Sequence, residues 1–155
     1  MNKKVENKLI TKNKKAYFDY EILDTWEAWI ELKWYETKSI RQGHVNLKWS
    51  YITCVNWELF IKNMHVSAWK TLPNKDSIDT FRDRKIFLHK KTIIYLCNKL
   101  KQAWFSIIPL ELYFKWSLIK IKVGLAKWRK AYQKKQILKE RTMDKEVKMM
   151  LKKFL

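Results

Sequence analysis

The sequence predicts a mainly β protein, an antiparallel barrel with flanking helices and a basic C-terminal tail. Three observations lead there. Short apolar runs alternate with polar residues and are separated by gaps of two or three residues, one internal segment has helical period, and the last stretch is lysine-rich with no strand pattern. At 155 residues with 47% hydrophobic content the chain is one domain, long enough to bury a core without staples.

Taken in order, residues 1–12 are polar and Lys-rich and predict a basic flexible arm. A body follows over 13–130. Tyr17 to Leu32 is rich in aromatic and β-branched residues and predicts a long, bent strand. Glu36 to Arg41, stopped by Gly43, predicts a brief helix with a glycine C-cap. Strands are expected at about 50–55 and 58–66, then a loop from Ala68 to Asp79 around Pro73-Asn74. In Thr92 to Ala103 the apolar positions 93, 96, 97 and 100 recur at helical spacing, with Thr92 as N-cap. The last two strands alternate. Leu110, Leu112 and Phe114 face one way with Ile119, Ile121 and Val123, and Lys115, Lys120 and Lys122 face the other. At least five short strands with one interposed helix are closed most economically as an OB-like barrel. Residues 131–155 form a basic tail, helical when bound, in which Met143, Val147, Met150, Leu151 and Phe154 share one helical stripe and Lys134, Arg141, Lys145, Lys148 and Lys152 another.

Charge narrows the partner. Thirty-four Lys and Arg against 15 Asp and Glu leave a formal net charge of +19, which calls for a polyanion and an attraction that weakens with salt. Nucleic acid ranks above an anionic membrane, since no apolar run reaches the length of a spanning helix and the N-terminal residues lack a signal-peptide core; a cytoplasmic, monomeric protein is expected. Cys54 and Cys97 lack any CxxC spacing and are read as buried thiols, not as a disulfide or metal site. His44, His65 and His89 are too scattered for zinc. No cofactor is expected. A nuclease would need gathered carboxylates, and Asp76, Asp79 and Asp83 near His89 sit at the spacing of caps and solvated charges.

One compositional feature is unusual: nine tryptophans stand against two glycines, Gly43 and Gly124. Ordinary usage would give about 11 glycines in a chain of this length. Trp57 and Trp116 occupy gaps between strand-like runs, where turn geometry favours glycine. Some genetic codes read UGA as tryptophan and others as glycine, so the pattern is that of a gene translated with the wrong table; the alternative is a Trp-rich RNA binder that stacks bases on its indoles.

Four segments carry a resemblance. Lys38-Ser-Ile-Arg-Gln-Gly-His-Val-Asn-Leu-Lys-Trp-Ser-Tyr51, Asn63-Met-His-Val-Ser67, Arg82-Asp-Arg-Lys-Ile-Phe-Leu-His-Lys90 and Gly124-Leu-Ala-Lys-Trp-Arg-Lys130 resemble, in order and spacing, the SmpB family, the tmRNA-binding (SsrA-binding) proteins of trans-translation. The likeness spans about residues 13–141. It implies an adaptor without an active site: an OB-like barrel that binds the tRNA-like domain of tmRNA and delivers it, with elongation factor Tu on the complex, to a stalled ribosome, while the tail reaches the small-subunit decoding centre and the empty mRNA channel. Composition alone fits the alternative of a generic single-stranded RNA-binding or ribosome-associated OB-fold protein.

The tmRNA-binding residues that the resemblance implies are Asn13, Glu27, Phe87, Leu88 and His89, with Lys38, Arg41, Arg82, Arg84, Lys85 and Lys127 for the RNA backbone. The bland alternatives are a structural ion pair for Glu27 and core packing for Phe87 and Leu88. In the tail, Tyr132 is placed to stack on a base, and Lys134, Lys135, Lys139 and Arg141 to meet rRNA phosphates. Gln133 stands where the family has an acidic residue, His44 where lysine is common and Ala68 where proline is common. The same resemblance places Trp29, Trp34 and Trp128 where the family has glycine and Trp49, Trp57, Trp104 and Trp116 where it often does, and leaves Trp26 and Trp69 at aromatic positions.

Overall fold

A computed structural model describes residues 7–154. Strand β1 (Lys8–Lys12) leads into helix α1 (Lys14–Asp19), strand β2 (Tyr20–Ile30) and helix α2 (Trp34–Arg41). Strands β3 (Val45–Asn46), β4 (Tyr51–Val55), β5 (Glu58–Lys62) and β6 (His65–Val66) follow, then a 3-10 turn at Lys75–Ser77 and strand β7 (Arg84–Phe87). Helix α3 (Lys90–Leu100), the long strands β8 (Phe105–Lys115) and β9 (Leu118–Trp128) and helix α4 (Ala131–Phe154) complete the chain.

The strands run β1-β8-β4-β5-β7-β2-β9, and β9 pairs back on β8, so β8-β4-β5-β7-β2-β9 closes into an antiparallel barrel with β1 added on one edge of β8. This is the OB-like barrel that the alternating runs predict. Its interior holds Ile52, Leu59, Ile61, Ile86, Ile107, Leu112, Ile121, Val123 and Leu125, and Leu96 and Cys97 of α3 pack against them.

Several expected elements change. The expected strand from Tyr17 begins as α1, because Asn13 caps a helix: its Oδ1 accepts from the Ala16 amide at 3.1 Å, which outweighs the local β propensity. The expected flexible arm is a strand over part of its length. Lys8–Lys12 pairs with β8, and residues 1–6 lie outside the described residues. Helix α3 starts at Lys90 with His89, not Thr92, as its N-cap. Cys54 and Cys97 are not free thiols but a disulfide, since β4 and α3 bring their Cα atoms to 5.6 Å. Sequence spacing carried no sign of that approach, which tertiary packing alone creates.

Leu110 also departs from its expected face. A bulge between Pro109 and Glu111 turns it away from Leu112 and into a second, outer cluster with Ala16, Ile108 and Ala126, beneath α1. Gly124 serves that packing, because a Cβ there would stand 2.8 Å from Leu110 Cδ1. Gly43 ends α2 as predicted, at φ 79°, with its amide bonded to the Ile40 carbonyl and the His44 amide to that of Ser39, the paired bonds of a Schellman cap.

The tail is a single helix of 24 residues, about 36 Å long. Its apolar stripe does not dock: Met143, Val147, Met150, Leu151 and Phe154 are all exposed. Only the first turns touch the barrel.

Candidate nucleic-acid interface

The outer surface of β2, β9 and β8 carries one polar ladder. Alternation turns Ala28 and Ile121 inward, so Glu27, Trp29, Lys120, Lys122 and Tyr113 point outward. Glu27 is its hub. It accepts from the Tyr113 hydroxyl and from Lys115 Nζ at 3.0 Å, with Lys120 Nζ at 4.0 Å. The Tyr113 bond and the lysines hold the Glu27 carboxyl below its ordinary range against partial burial, and the Tyr113 phenol is pushed up by burial and by Glu27. Lys120 is buried, with the Trp29 ring 3.0 Å from its ammonium, and desolvation lowers its pKa. Lys115, Lys120 and Tyr113 join this cluster; alternation in the sequence places those lysines opposite the core but carries no sign of Tyr113.

Next to this ladder, Phe87 pairs with Trp29 across β7 and β2, exposes its ring and has the Lys85 ammonium 5.3 Å from its centroid. Lys85 also binds Glu58 at 2.7 Å. Leu88 is half-buried against the core, while His89 is exposed at the start of α3 with its carbonyl accepting from Ile93. The packing alternative therefore holds for Leu88 and not for Phe87. Lys127, half-exposed on β9, sits 5.1 Å from the Phe105 ring. On α2, Lys38 is exposed beside Trp34 and Trp69, and Arg41 reaches the Ser117 carbonyl at the β8–β9 turn.

Three expected contact residues are placed otherwise. Arg84 is wholly buried: its guanidinium bonds Glu36 at 3.0 Å and the Met64 carbonyl at 2.7 Å, so it cannot meet a phosphate. Arg82 holds the same carboxylate through two bonds, at 2.9 and 2.8 Å, and keeps only an edge in solvent. Glu36 is itself buried. Burial pushes its carboxyl up, but the bonds from Arg82, Arg84 and the Lys33 amide prevail and hold it low. Asn13 is buried too, its amide donating to the Leu47 and Pro109 carbonyls at 3.1 and 3.0 Å. The pattern of basic residues gave no sign of which arginine was an internal strut, since that depends on Glu36 arriving from α2.

The tail begins on an anchor of which the sequence carries no local sign. Asp19, buried at the end of α1, takes Lys134 at 3.1 Å and Lys15 at 3.3 Å, and its carbonyl accepts from the Arg129 amide. Gln133 Oε1 accepts from the Lys130 amide at 2.9 Å, an N-terminal helix bond that an acidic residue would also make. Lys134 additionally covers the Trp128 ring at 3.9 Å, and Arg141 lies 5.6 Å from the Phe18 ring. Tyr132, Lys135 and Lys139 are exposed.

Among the described residues no group of three or more His, Cys, Asp or Glu side chains gathers as a metal site, and no helix is long and apolar enough to cross a membrane. A closed OB-like barrel whose outer face interleaves lysines with exposed aromatic rings, extended by a basic helix, defines a nucleic-acid-binding barrel protein. Comparison with known proteins gives the family. The description "SmpB protein" matches residues 10–153. An SsrA-binding protein of Caldicellulosiruptor bescii is 42% identical over 154 residues, covering 99% of this chain and 97% of its own. One from Mycoplasma mycoides is 43% identical over 141 residues, covering 90% and 95%. A solved structure described as "tmRNA-SmpB: a journey to the center of the bacterial ribosome" superposes with a TM-score of 0.65 at 35% identity, over 78% of this chain and 85% of that one. The chain belongs to the SmpB protein family.

Proposed function

We propose that this protein binds tmRNA and carries it to stalled ribosomes in trans-translation. The observation that carries the reading is the family match along nearly the whole chain, barrel and tail together. The geometry fits it. Glu27, Phe87, His89 and the cations Lys38, Arg41, Lys85 and Lys127 form the tmRNA surface, offering charge to phosphates and an exposed ring and imidazole to unstacked bases. Asn13, Arg82 and Arg84 act as positioning residues that fix α1, α2 and β7. Leu88 packs against the barrel core.

Helix α4 serves the ribosome. Tyr132, Lys135, Lys139 and Arg141 meet the decoding centre of the small subunit, and the remaining turns enter the mRNA channel. The adaptor works in the cytoplasm as a monomer, with elongation factor Tu on the same tmRNA, and performs no catalysis of its own.

Truncation after Lys130 tests this. Binding of a tRNA-like-domain transcript should remain nearly unchanged while tagging of nascent chains on ribosomes stalled without a stop codon is abolished. Tagging that survives the truncation refutes the role of α4, and failure of the full chain to bind the transcript refutes the adaptor. A protein that binds unrelated single-stranded RNA equally well is the generic OB-fold binder instead.

A further inference from the structure

The nine tryptophans separate into two groups. Trp26 packs against the core and lies 6.1 Å from the Tyr95 ring, and Trp69 is half-buried under Lys38. The other seven are all exposed, from 47% at Trp29 to 76% at Trp116. Tryptophan is large and apolar and is ordinarily well covered, so seven naked indoles on a monomer's surface need a reason.

Backbone geometry supplies one for three of them. Trp49, Trp57 and Trp116 have φ of 64°, 60° and 59°, in the left-handed region. Asparagine is tolerated there, and Asn56 and Asn63 are the other non-glycine residues that adopt it among the described residues. A bulky side chain is not; glycine is the residue these turns select. Asn56 and Trp57 are both left-handed in the two-residue β4–β5 turn, the hairpin that asks for Asn-Gly.

A base-stacking role fits the placement poorly. Trp57 and Trp104 lie at one end of the barrel and Trp116 at the other, with the eleven residues of β8 between them, so no single strand of nucleic acid would meet them as one platform. Trp49, Trp57 and Trp128 wall a cavity of about 730 Å³ over α1, β4 and the disulfide. Five indoles are instead occupied by lysines: Trp29 by Lys120 at 3.0 Å, Trp128 by Lys134 at 3.9 Å, Trp49 by Lys15 at 5.0 Å, and Trp34 by Lys38 and Trp57 by Lys101 at 5.2 Å each.

We infer that these seven positions are glycine in the protein its source cell makes, each read from a UGA codon, and that the glycine form frees Lys120 as an additional phosphate contact on the barrel face. Without the Trp29 indole, Lys120 reaches solvent beside Lys115, and the cavity walls open into a groove. The second half of the inference rests on the tmRNA reading; the first does not.

Peptide mass spectrometry of the protein isolated from its own cells tests the first half, with glycine expected at all seven positions and tryptophan retained at 26 and 69. Tryptophan at the seven overturns it. A recombinant form carrying the seven glycines should unfold at higher denaturant than the tryptophan form, whereas Trp26→Gly should lower the midpoint; a lower midpoint for the glycine form counts against the assignment. For the second half, Lys120→Ala is measured in both forms against a tRNA-like-domain transcript. The loss of affinity should be severalfold larger in the glycine form, and equal losses overturn it. If neither form binds the transcript, the tmRNA reading fails while the residue assignment stands on the peptide masses.

Discussion

Glu36 and Arg84 meet inside the protein, a carboxylate oxygen 3.0 Å from a guanidinium nitrogen with both side chains sealed from solvent. The pair ties α2 to β7, and Arg82 closes it from the surface. Removing one partner strands the other. Glu36→Ala should cost about 3–5 kcal/mol in urea unfolding, against a fraction of that for Lys62→Ala, whose partner Asp83 is half exposed.

The same carboxylate predicts the acid limb of the stability curve. Its folded pKa lies below the unfolded one, so its contribution is complete above the ordinary carboxylate range and drains away as pH falls through the folded value. The unfolding midpoint of the natural chain should therefore drop below about pH 4, and Glu36→Gln should lose most of that slope. An unchanged slope in Glu36→Gln would assign the acid limb to other carboxylates.

Gly124→Ala tests the seam between barrel and α1. The new Cβ would stand 2.8 Å from Leu110 Cδ1 and 3.3 Å from Ile22 Cγ2, and Leu110 is fully buried with nowhere to swing. A loss of about 1–3 kcal/mol is expected. Leu110→Ala in the same chain should be less damaging than the two single costs combined, a non-additivity that a double-mutant cycle reads directly.

Salt titration separates surface cations from struts. Lys85→Ala and Lys127→Ala should each lower the slope of log affinity against log salt by about 1, measured by anisotropy on a tRNA-like-domain transcript. Arg84→Ala should instead show up in stability, because that guanidinium is out of reach of any phosphate.

Reduction probes the link between β4 and α3. Cys54 and Cys97 close a loop of 43 residues, for which reduction should cost about 2–4 kcal/mol. The denatured chain should show no reactive thiol until reductant is added. Two thiols titrating at once would remove the cross-link from the picture.

Much of the barrel was legible because alternation is a local signal: Leu112, Ile121 and Val123 turn inward as their spacing demands. What failed was long-range. The seating of Leu110 against Ala16, the approach of Cys54 to Cys97 and the burial of Arg84 under Glu36 each depend on elements dozens of residues apart, and no window of sequence contains both halves. The Asn13 cap was local, yet the aromatic run after it masked it. In the candidate surface, residue types suggest a chemistry, but only the fold separates Lys85, which reaches solvent, from Arg84, which does not.

Helix α4 is held over its first three turns by Asp19, Trp128 and Phe18, and its distal turns are exposed. It is thus a tether of about 36 Å with an anchored end. A tether of fixed length turns two weak attachments into one strong one: once the barrel is held, the distal turns search a small volume at high effective concentration, and the second attachment costs little. Lengthening or breaking that rod would dilute the search without touching either surface. On the proposed function, the spacing between barrel and distal turns is therefore as much a part of the affinity as the contacts themselves.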